Sequence, residues 1–270
     1  MTVGSNVVKI TAKSALKDKW LKSVFACCIY LFAHFICVYS ASILGFMLNE
    51  TVYYAIFAVL GFFLLLPLML GVVRYFWRLI MGADDSPINV FYYLSCREQY
   101  LRALRLFFAL LVRIALISVV VLLPAIAVWI ISNPEIYEMF DVAIPIWSSN
   151  LNTIWAFLGS ISVFVIISLS VKYYLAPLLI VADESMEIEE AIVMSKIIAK
   201  KTHIDFIFLV FSFIGWILLS LLVIPLVFTL PYIITSYAVH CRFAIADYNM
   251  FINKQNQSSY GFYGNYGNEI

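Results

Sequence analysis

Four stretches of this chain are apolar over about 25 residues each, and none of them contains more than one charged side chain. An α-helix rises 1.5 Å per residue, so about 20 apolar residues cross the roughly 30 Å of hydrocarbon in a bilayer. The whole chain is 64% hydrophobic and 12% charged, whereas a soluble domain carries about 25% charged residues. We therefore predict an all-α, polytopic membrane protein. Its secure spans are 24–48, 52–76, 107–131 and 151–174.

A further apolar segment, 204–243, has its charged residues only near its two ends. As a single helix it would be about 60 Å long, which is twice the thickness of the bilayer core. We expect it to fold back at Pro225 and Pro231. This gives two shorter spans, 204–224 and 226–243, and a total of about six; a re-entrant hairpin is the alternative.

The distribution of charge predicts the orientation of the six spans. Cytoplasmic loops of membrane proteins are enriched in Lys and Arg. The six-span arrangement places all 17 Lys and Arg residues on the side of the two termini. The opposite side carries acids only, at Glu50, Glu135, Glu138 and Asp141. Both termini are therefore predicted to be cytoplasmic.

Two parts of the chain align when the sequence is shifted by about 99 residues. The sequence ADDS at 83–86 aligns with ADES at 182–185, and Arg97 aligns with Lys196. Matches that keep their order over some 50 residues indicate an internal repeat. With the N-terminal segment as a degenerate copy, we predict tandem units, each a surface helix followed by a two-span hairpin. Their bounds are 5–82, 86–182 and 185–250.

Each predicted unit begins with an amphipathic helix on the cytoplasmic membrane surface. Ser86 precedes Pro87, which suits the first position of a helix, and Ser185 precedes glutamates that favour the positive end of the helix dipole. We interpret the acids before each serine as parts of a joint between a span and a surface helix, rather than as catalysts. The N-terminal segment has apolar residues at a spacing of four, namely Val8, Ala12, Leu16 and Trp20.

These units make up one membrane domain over 1–253. The segment that follows, 254–270, is rich in Gly, Tyr, Asn and Gln. This composition predicts a disordered cytoplasmic tail.

The segment LAPLLIVADESMEIEEAIVMSKIIAKKTHIDFIFLVFSFIGWILL at 175–219, followed by PY at 231–232, resembles a family of bacterial integral membrane proteins, the domain of unknown function numbered nine hundred seventy-five. The resemblance rests on the proline-containing span, the acid-rich start of the next helix, the SFIGW sequence and the late PY. A departure is the turn before Pro231, which has no glycine here. The resemblance implies a bacterial plasma-membrane protein of about six helices, and it implies no activity and no catalytic residues.

Four ionisable residues lie near the predicted cytoplasmic ends of spans. Ionisable groups inside a membrane are by default candidates for function, although long cations can extend to the interface. We expect a polar cluster at the cytoplasmic mouth, most simply a structural ion-pair network, with solute contact as the alternative. Its members are Arg113, Lys172, Asp205 and Arg242.

No motif of an enzyme, cofactor site or nucleic-acid-binding module is found in the sequence. His34 lies three residues before Cys37, and His240 precedes Cys241, but neither pair has the usual spacing of metal ligands. We expect no catalytic residue, no metal and no cofactor.

Two functions remain open at this point. The first is a non-enzymatic scaffold or accessory protein that binds membrane lipids and another membrane protein, since basic residues near the membrane surface suit anionic headgroups. The alternative is a transporter or channel for a small or amphipathic solute, formed between repeated hairpins whose helices are broken by proline. The prolines in question are Pro67, Pro124, Pro177 and Pro225.

Overall fold

The computed structural model describes residues 4–139, 148–220 and 223–264, and within these ranges the chain is helical with no β-strand. The all-α prediction is thereby confirmed. The helices, in chain order, are α1 (Ser5–Leu16), α2 (Trp20–Met47), α3 (Glu50–Leu60), a π-helical turn (Gly61–Leu65), α4 (Leu66–Ile80), a 3₁₀ helix (Pro87–Phe91), α5 (Tyr92–Ser95), α6 (Arg97–Ser132), α7 (Pro134–Met139), α8 (Ser148–Ser170), a second 3₁₀ turn (Val171–Tyr173), α9 (Ala176–Ala182), α10 (Ile188–Phe211), α11 (Ile214–Leu219) and α12 (Val223–Gly264).

Four helical segments are long and apolar enough to cross a membrane: Trp20–Met47, Glu50–Ile80, Arg97–Ser132 and Thr153–Ala182. They overlap the four spans that the sequence predicts as secure over nearly the full length of each span. The fifth and sixth spans stay a prediction. Within the predicted disordered tail, 254–270, the helix α12 continues to Gly264. Residues 265–270 lie outside the described part of the chain, and for them the disordered tail stays a prediction.

The predicted turn at Pro225 and Pro231 is wrong in position. The helix α12 begins at Val223 and continues through both prolines. A proline in the first turn removes no helical hydrogen bond, because the first N–H groups of a helix have no partner. Near Pro231, the hydroxyl of Thr235 donates to the carbonyl of Pro231 at 2.6 Å. Pro124 likewise lies inside α6 without ending it.

Two of the three predicted surface helices run into the spans that follow them without a break at the predicted borders, whereas α1 is separated from α2 by a turn. α6 begins at Arg97, ten residues before the predicted third span, and α10 runs from Ile188 to Phe211 across the predicted border at 204. Neither border contains a glycine or a proline. The helix therefore continues, because no residue there removes a hydrogen bond or forces a turn.

The chain forms two compact units. One consists of Met1–Leu106 with Leu175–Ile270, and the other of Phe107–Tyr174. We call them the larger and the smaller unit and describe each by itself. The expected single membrane domain over 1–253 and its repeat units stay predictions.

The core of the larger unit is built on α4, most of whose residues are buried. The 3₁₀ helix Pro87–Phe91 packs directly against it. A Cβ atom added to Gly71 would lie 1.8 Å from the carbonyl oxygen of Val90. The absence of a side chain at Gly71 therefore allows this close approach.

The N-terminal helix α1 belongs to the same unit and packs mainly on α12. Val8, Ala12 and Leu16 are fully buried, which confirms the predicted spacing of four for these three residues. Trp20 differs, since it is the first residue of α2 and is exposed. The turn between the two helices includes Asp18, whose φ of 65° lies in the left-handed region.

We expect Gly71→Ala to destabilise the protein by about 1–3 kcal/mol or more, because the new methyl group forces the backbone at Val90 away from α4. Thermal unfolding in detergent micelles measures the effect. Gly159→Ala is the control, since a Cβ there meets nothing within 4 Å. Equal melting temperatures of the two variants would contradict the close-packing interpretation.

Candidate functional site at the joints

The larger unit brings the two aligned stretches of the sequence, 83–86 and 182–185, into networks of charged contacts. We call these stretches the first joint and the second joint. Each follows the end of a helical segment, α4 for the first joint and α9 for the second. Their acids bind cations, hydroxyls and a backbone N–H group of the larger unit.

The first joint is fixed by lysines of the turn after α1 and the start of α2. The Lys22 ammonium donates to both carboxylate oxygens of Asp84, at 2.7 and 2.9 Å. This hydrogen bond and the positive charge hold the pKa of Asp84 below its usual range. The Lys19 ammonium donates to the carbonyl of Ala83 at 3.0 Å. The start of the joint is a turn at Gly82, whose φ of +89° favours glycine.

The second acid of the first joint, Asp85, forms an ion pair with Arg78 of α4, with 2.5 Å between Nε and Oδ2. Arg242 of α12 donates to the carbonyl of Ile80 at 3.0 Å. Ile80 is the last residue of α4. The guanidinium therefore satisfies one of the carbonyls that a helix leaves unpaired at its C-terminus.

The second joint contains an ion pair whose arginine is buried. Arg74 of α4 donates through Nε and Nη2 to Oε1 of Glu184, at 3.3 and 3.1 Å. The Tyr92 hydroxyl donates to Oε2 of the same carboxylate at 3.1 Å. The Arg74 guanidinium also lies 3.6 Å from the centre of the Tyr92 ring, an arrangement that stabilises a cation.

This ion pair matters for stability because Arg74 is buried. Only 9% of the surface of Arg74 is accessible, whereas the side chain of Glu184 is 46% accessible. An arginine removed from water requires a compensating charge, since its guanidinium does not lose its proton. Burial and the Glu184 carboxylate raise the pKa of Tyr92, which keeps its hydroxyl protonated as a donor.

Arg102 of α6 fixes the backbone of the second joint. Its guanidinium donates to the carbonyls of Asp183 at 3.2 Å and Met186 at 2.7 Å, and also to the carbonyl of Glu184. Three carbonyls within four consecutive residues are thereby held by one side chain. The loop between α9 and α10 is consequently fixed to the start of α6.

The predicted helix cap at Ser185 is wrong. The residue that precedes α10 is Glu187, and its side chain makes no capping hydrogen bond. The carboxylate of Asp183 instead accepts from the backbone N–H of Ser185 at 2.8 Å and from its hydroxyl at 2.6 Å. These hydrogen bonds lower the pKa of Asp183. An aspartate that bonds the residue two positions ahead forms a turn of its own, in competition with a helix start.

Ser86 does precede a helix that begins with Pro87, as predicted, but its side chain makes no capping bond. That helix is also short. It covers Pro87–Phe91 in 3₁₀ form and continues only to Ser95.

The four residues of the predicted polar cluster lie in both units. Arg113 and Lys172 belong to the smaller unit, and Asp205 and Arg242 to the larger. Arg113 donates to the carbonyl of Ala109 at 3.0 Å within its own helix, and Arg242 binds Ile80 at the first joint. Their assembly into one cluster stays a prediction.

Two of the histidines lie beside aromatic rings. His34 lies among the rings of Tyr30 and Phe57, and His240 lies 5.7 Å from the ring of Phe206. Within the described residues, no group of three or more His, Cys, Asp or Glu side chains is placed to hold a metal ion.

Sequence reasoning missed the partners of the joints, Tyr92, Lys22 and Arg102. Arg102 and Tyr92 lie in the segment that the internal repeat covers. This position is a weak indication in the sequence that they contact the acids of the joints. For Lys22 the sequence gives no indication of this contact beyond its charge, because Lys22 is far from Asp84 along the chain.

We expect Glu184→Gln to lower the free energy of unfolding by about 1–2 kcal/mol, because Arg74 keeps a hydrogen-bond partner but loses the compensating charge. The half-exposed carboxylate limits the effect through solvent screening. Thermal unfolding in detergent micelles is the measurement, with Glu190→Gln as a matched control in the exposed first turn of α10. A loss no larger than that of the control would contradict the assigned role.

A family model described as "Protein of unknown function (DUF975)" matches residues 1–244 of the chain. No curated protein and no solved structure gives a match.

Proposed function

The chain belongs to the DUF975 family of proteins of unknown function, and from this premise we propose that it is a non-enzymatic scaffold or accessory protein of the bacterial plasma membrane. It spans the bilayer several times, with both termini in the cytoplasm. It binds anionic lipids through basic residues and a second membrane protein through the hairpin of its smaller unit.

The observation that carries the proposal is the exposure of that hairpin. In the apolar windows of Arg97–Ser132 and Thr153–Ala182, 6% of the residues are buried. The corresponding shares are 22% for Trp20–Met47 and 39% for Glu50–Ile80. Two long apolar helices with so little of their own surface covered offer an area on which another membrane helix can pack.

Membrane helices associate through small residues and hydroxyls, because lipid tails are as apolar as leucine and give no hydrophobic driving force. The helix α8 has such a surface. Ala156 and Ser160 are exposed and four residues apart, which places them on one face. Gly159 beside them has open space around its Cα. These residues support close approach of a partner backbone.

The joints support a scaffold in a second way. Acids that could accept protons in a reaction are occupied by fixed partners, Asp84 by Lys22 and Glu184 by Arg74 and Tyr92. Such contacts hold helix ends in place and suit a rigid platform.

We expect a photo-crosslinking amino acid at position 156 or 160 to give a discrete protein adduct in living cells, identified by mass spectrometry. Phe164 is exposed on the same helix, and Val59 is exposed on α3 of the other unit. A crosslinker at position 59 is the control and should give mainly lipid adducts. Adducts with lipid alone at 156 and 160 would overturn the protein-binding part of the proposal.

A transporter is the second candidate, and it is favoured by interruptions in helices of the larger unit. The π-helical turn Gly61–Leu65 separates α3 from α4, and α10 ends at Phe211 just before α11. π-Turns often mark functional sites. In this case the carbonyl of Phe63 in the turn accepts from the Tyr100 hydroxyl at 3.0 Å, which gives the interruption a structural partner.

For a transporter, we expect Arg113→Ala and Asp205→Ala to lower the flux of a candidate solute into proteoliposomes at unchanged protein content. Ionisable groups near the membrane ends of spans would be part of the solute path. Unchanged flux in both variants would contradict a transport site at these residues.

A further inference from the structure

Two lysines of α1 lie over aromatic rings where α10 meets α11 and α12. The Lys9 ammonium is 4.6 Å from the centre of the Phe213 ring and donates to the carbonyl of Ser212 at 2.9 Å. The Lys13 ammonium is 5.6 Å from the centre of the Tyr232 ring. The rings of Phe213 and Tyr232 contact each other edge to face at 5.3 Å.

These two cations differ from Lys22 in the first turn of α2. Lys22 is paired with the Asp84 carboxylate, whereas the described contacts of Lys9 and Lys13 are a carbonyl and two rings. Being four residues apart on one helix, they repel each other. Burial and the charge of Lys13 lower the pKa of Lys9. An anion between them would relieve this repulsion.

One of these rings, that of Phe213, lines an apolar cavity. Its volume is about 260 Å³, and Phe213, which lies under the Lys9 ammonium, forms part of its wall. The lining is apolar almost throughout and comes from α10, α11 and α12, with Leu209, Ile217 and Ile234 among its members. Since an apolar cavity of about 150 Å³ binds benzene, this one admits part of an acyl chain.

We propose that α1 and α10 to α12 form a binding site for one anionic phospholipid, with its phosphate on Lys9 and Lys13 and an acyl chain in the cavity beside Phe213. The charge of the two ammonium groups selects an anionic headgroup. Because Phe213 lies under the Lys9 ammonium and also lines the cavity, the ligand must carry an apolar chain attached to that headgroup. Basic pockets between membrane helices bind acidic headgroups in this way. The inference rests on the proposed function, since it names the lipid and the place at which such a scaffold binds it.

The site has a structural consequence for the N-terminal helix. Val8, Ala12 and Leu16 fix α1 to the protein on its buried face, while Lys9 and Lys13 reach the aromatic rings beside that face. A phospholipid bound at these rings would add a second attachment for α1. Lipid binding would thus strengthen the docking of the helix on α12.

Native mass spectrometry of the full chain, released from detergent micelles, tests the proposal with two lipids of equal chain length. These are dioleoyl phosphatidylglycerol, which is anionic, and dioleoyl phosphatidylcholine, which is zwitterionic. We expect one tightly held phosphatidylglycerol and weaker binding of phosphatidylcholine. The double variant Lys9→Gln with Lys13→Gln should weaken phosphatidylglycerol binding by about 25-fold, at roughly a factor of 5 for each lysine.

The matched control is Lys17→Gln, at the exposed residue that follows α1, which should bind phosphatidylglycerol like the unmodified protein. The double variant Lys9→Arg with Lys13→Arg keeps both charges and should retain the lipid. If the glutamine variant does not fold, lipid binding is measured on this arginine variant instead. Equal binding of the two lipids, or a preference unaffected by loss of both lysines, would overturn the site.

A second variant tests the acyl chain separately from the charge. Ile234→Trp fills the cavity and leaves both lysines in place, so we expect it to release phosphatidylglycerol. Leu218→Trp is its control, because Leu218 is exposed on α11 and is not part of the cavity wall. Inorganic phosphate added at millimolar concentration should not displace the lipid. Retention of the lipid by Ile234→Trp, or its displacement by phosphate, would overturn the proposal.

The two proposals can fail separately. The crosslinking positions 156 and 160 belong to the smaller unit, whereas Lys9, Lys13 and the cavity belong to the larger unit. Loss of the protein adduct with lipid binding intact would reject only the protein partner. Loss of lipid preference with the adduct intact would reject only the site described here.

Discussion

The ion pair between Arg74 and Glu184 is the interaction on which the larger unit depends most. Arg74 is buried, so its charge must be balanced within the protein. Glu184 supplies the balance from a residue 110 positions away in the sequence. Tyr92 binds both partners, as a ring under the guanidinium and as a donor to the carboxylate. The contact therefore ties α4, the helix Pro87–Phe91 with its continuation, and the loop before α10 to one another.

Two neighbouring features make that ion pair possible. Gly71 lets the 3₁₀ helix approach α4, which brings Tyr92 close to Arg74. Arg102 holds the carbonyls of the second joint, which keeps Glu184 in reach. The acids that resemble a pair of catalytic carboxylates in the sequence thus bind cations and hydroxyls at helix ends and loops. This placement agrees with their interpretation as joints.

The cations predicted to lie on one side of the membrane have different roles. Lys22, Arg74 and Arg78 bind carboxylates, and Arg102 and Arg242 bind carbonyls at loops and helix ends. Lys9 and Lys13 lie over aromatic rings, one of which lines an apolar cavity, and Lys9 also donates to the carbonyl of Ser212. A count of charges treats all of these residues alike. Their contacts separate those that stabilise the fold from those available to a lipid.

The sequence by itself determined the all-α class, the four secure spans, the buried stripe of α1 and the family, because these follow from hydrophobic length, helical spacing and local motifs. It misplaced the cap at Ser185 and the turn at Pro225, where local preferences compete: an aspartate turn replaced the serine cap, and helical backbone tolerated the prolines. Only the tertiary structure decided which acid meets which cation, and that α1 brings Lys9 and Lys13 to Phe213 and Tyr232. Such contacts join residues far apart in the chain, and their energies depend on burial and distance, which no local pattern of residues encodes.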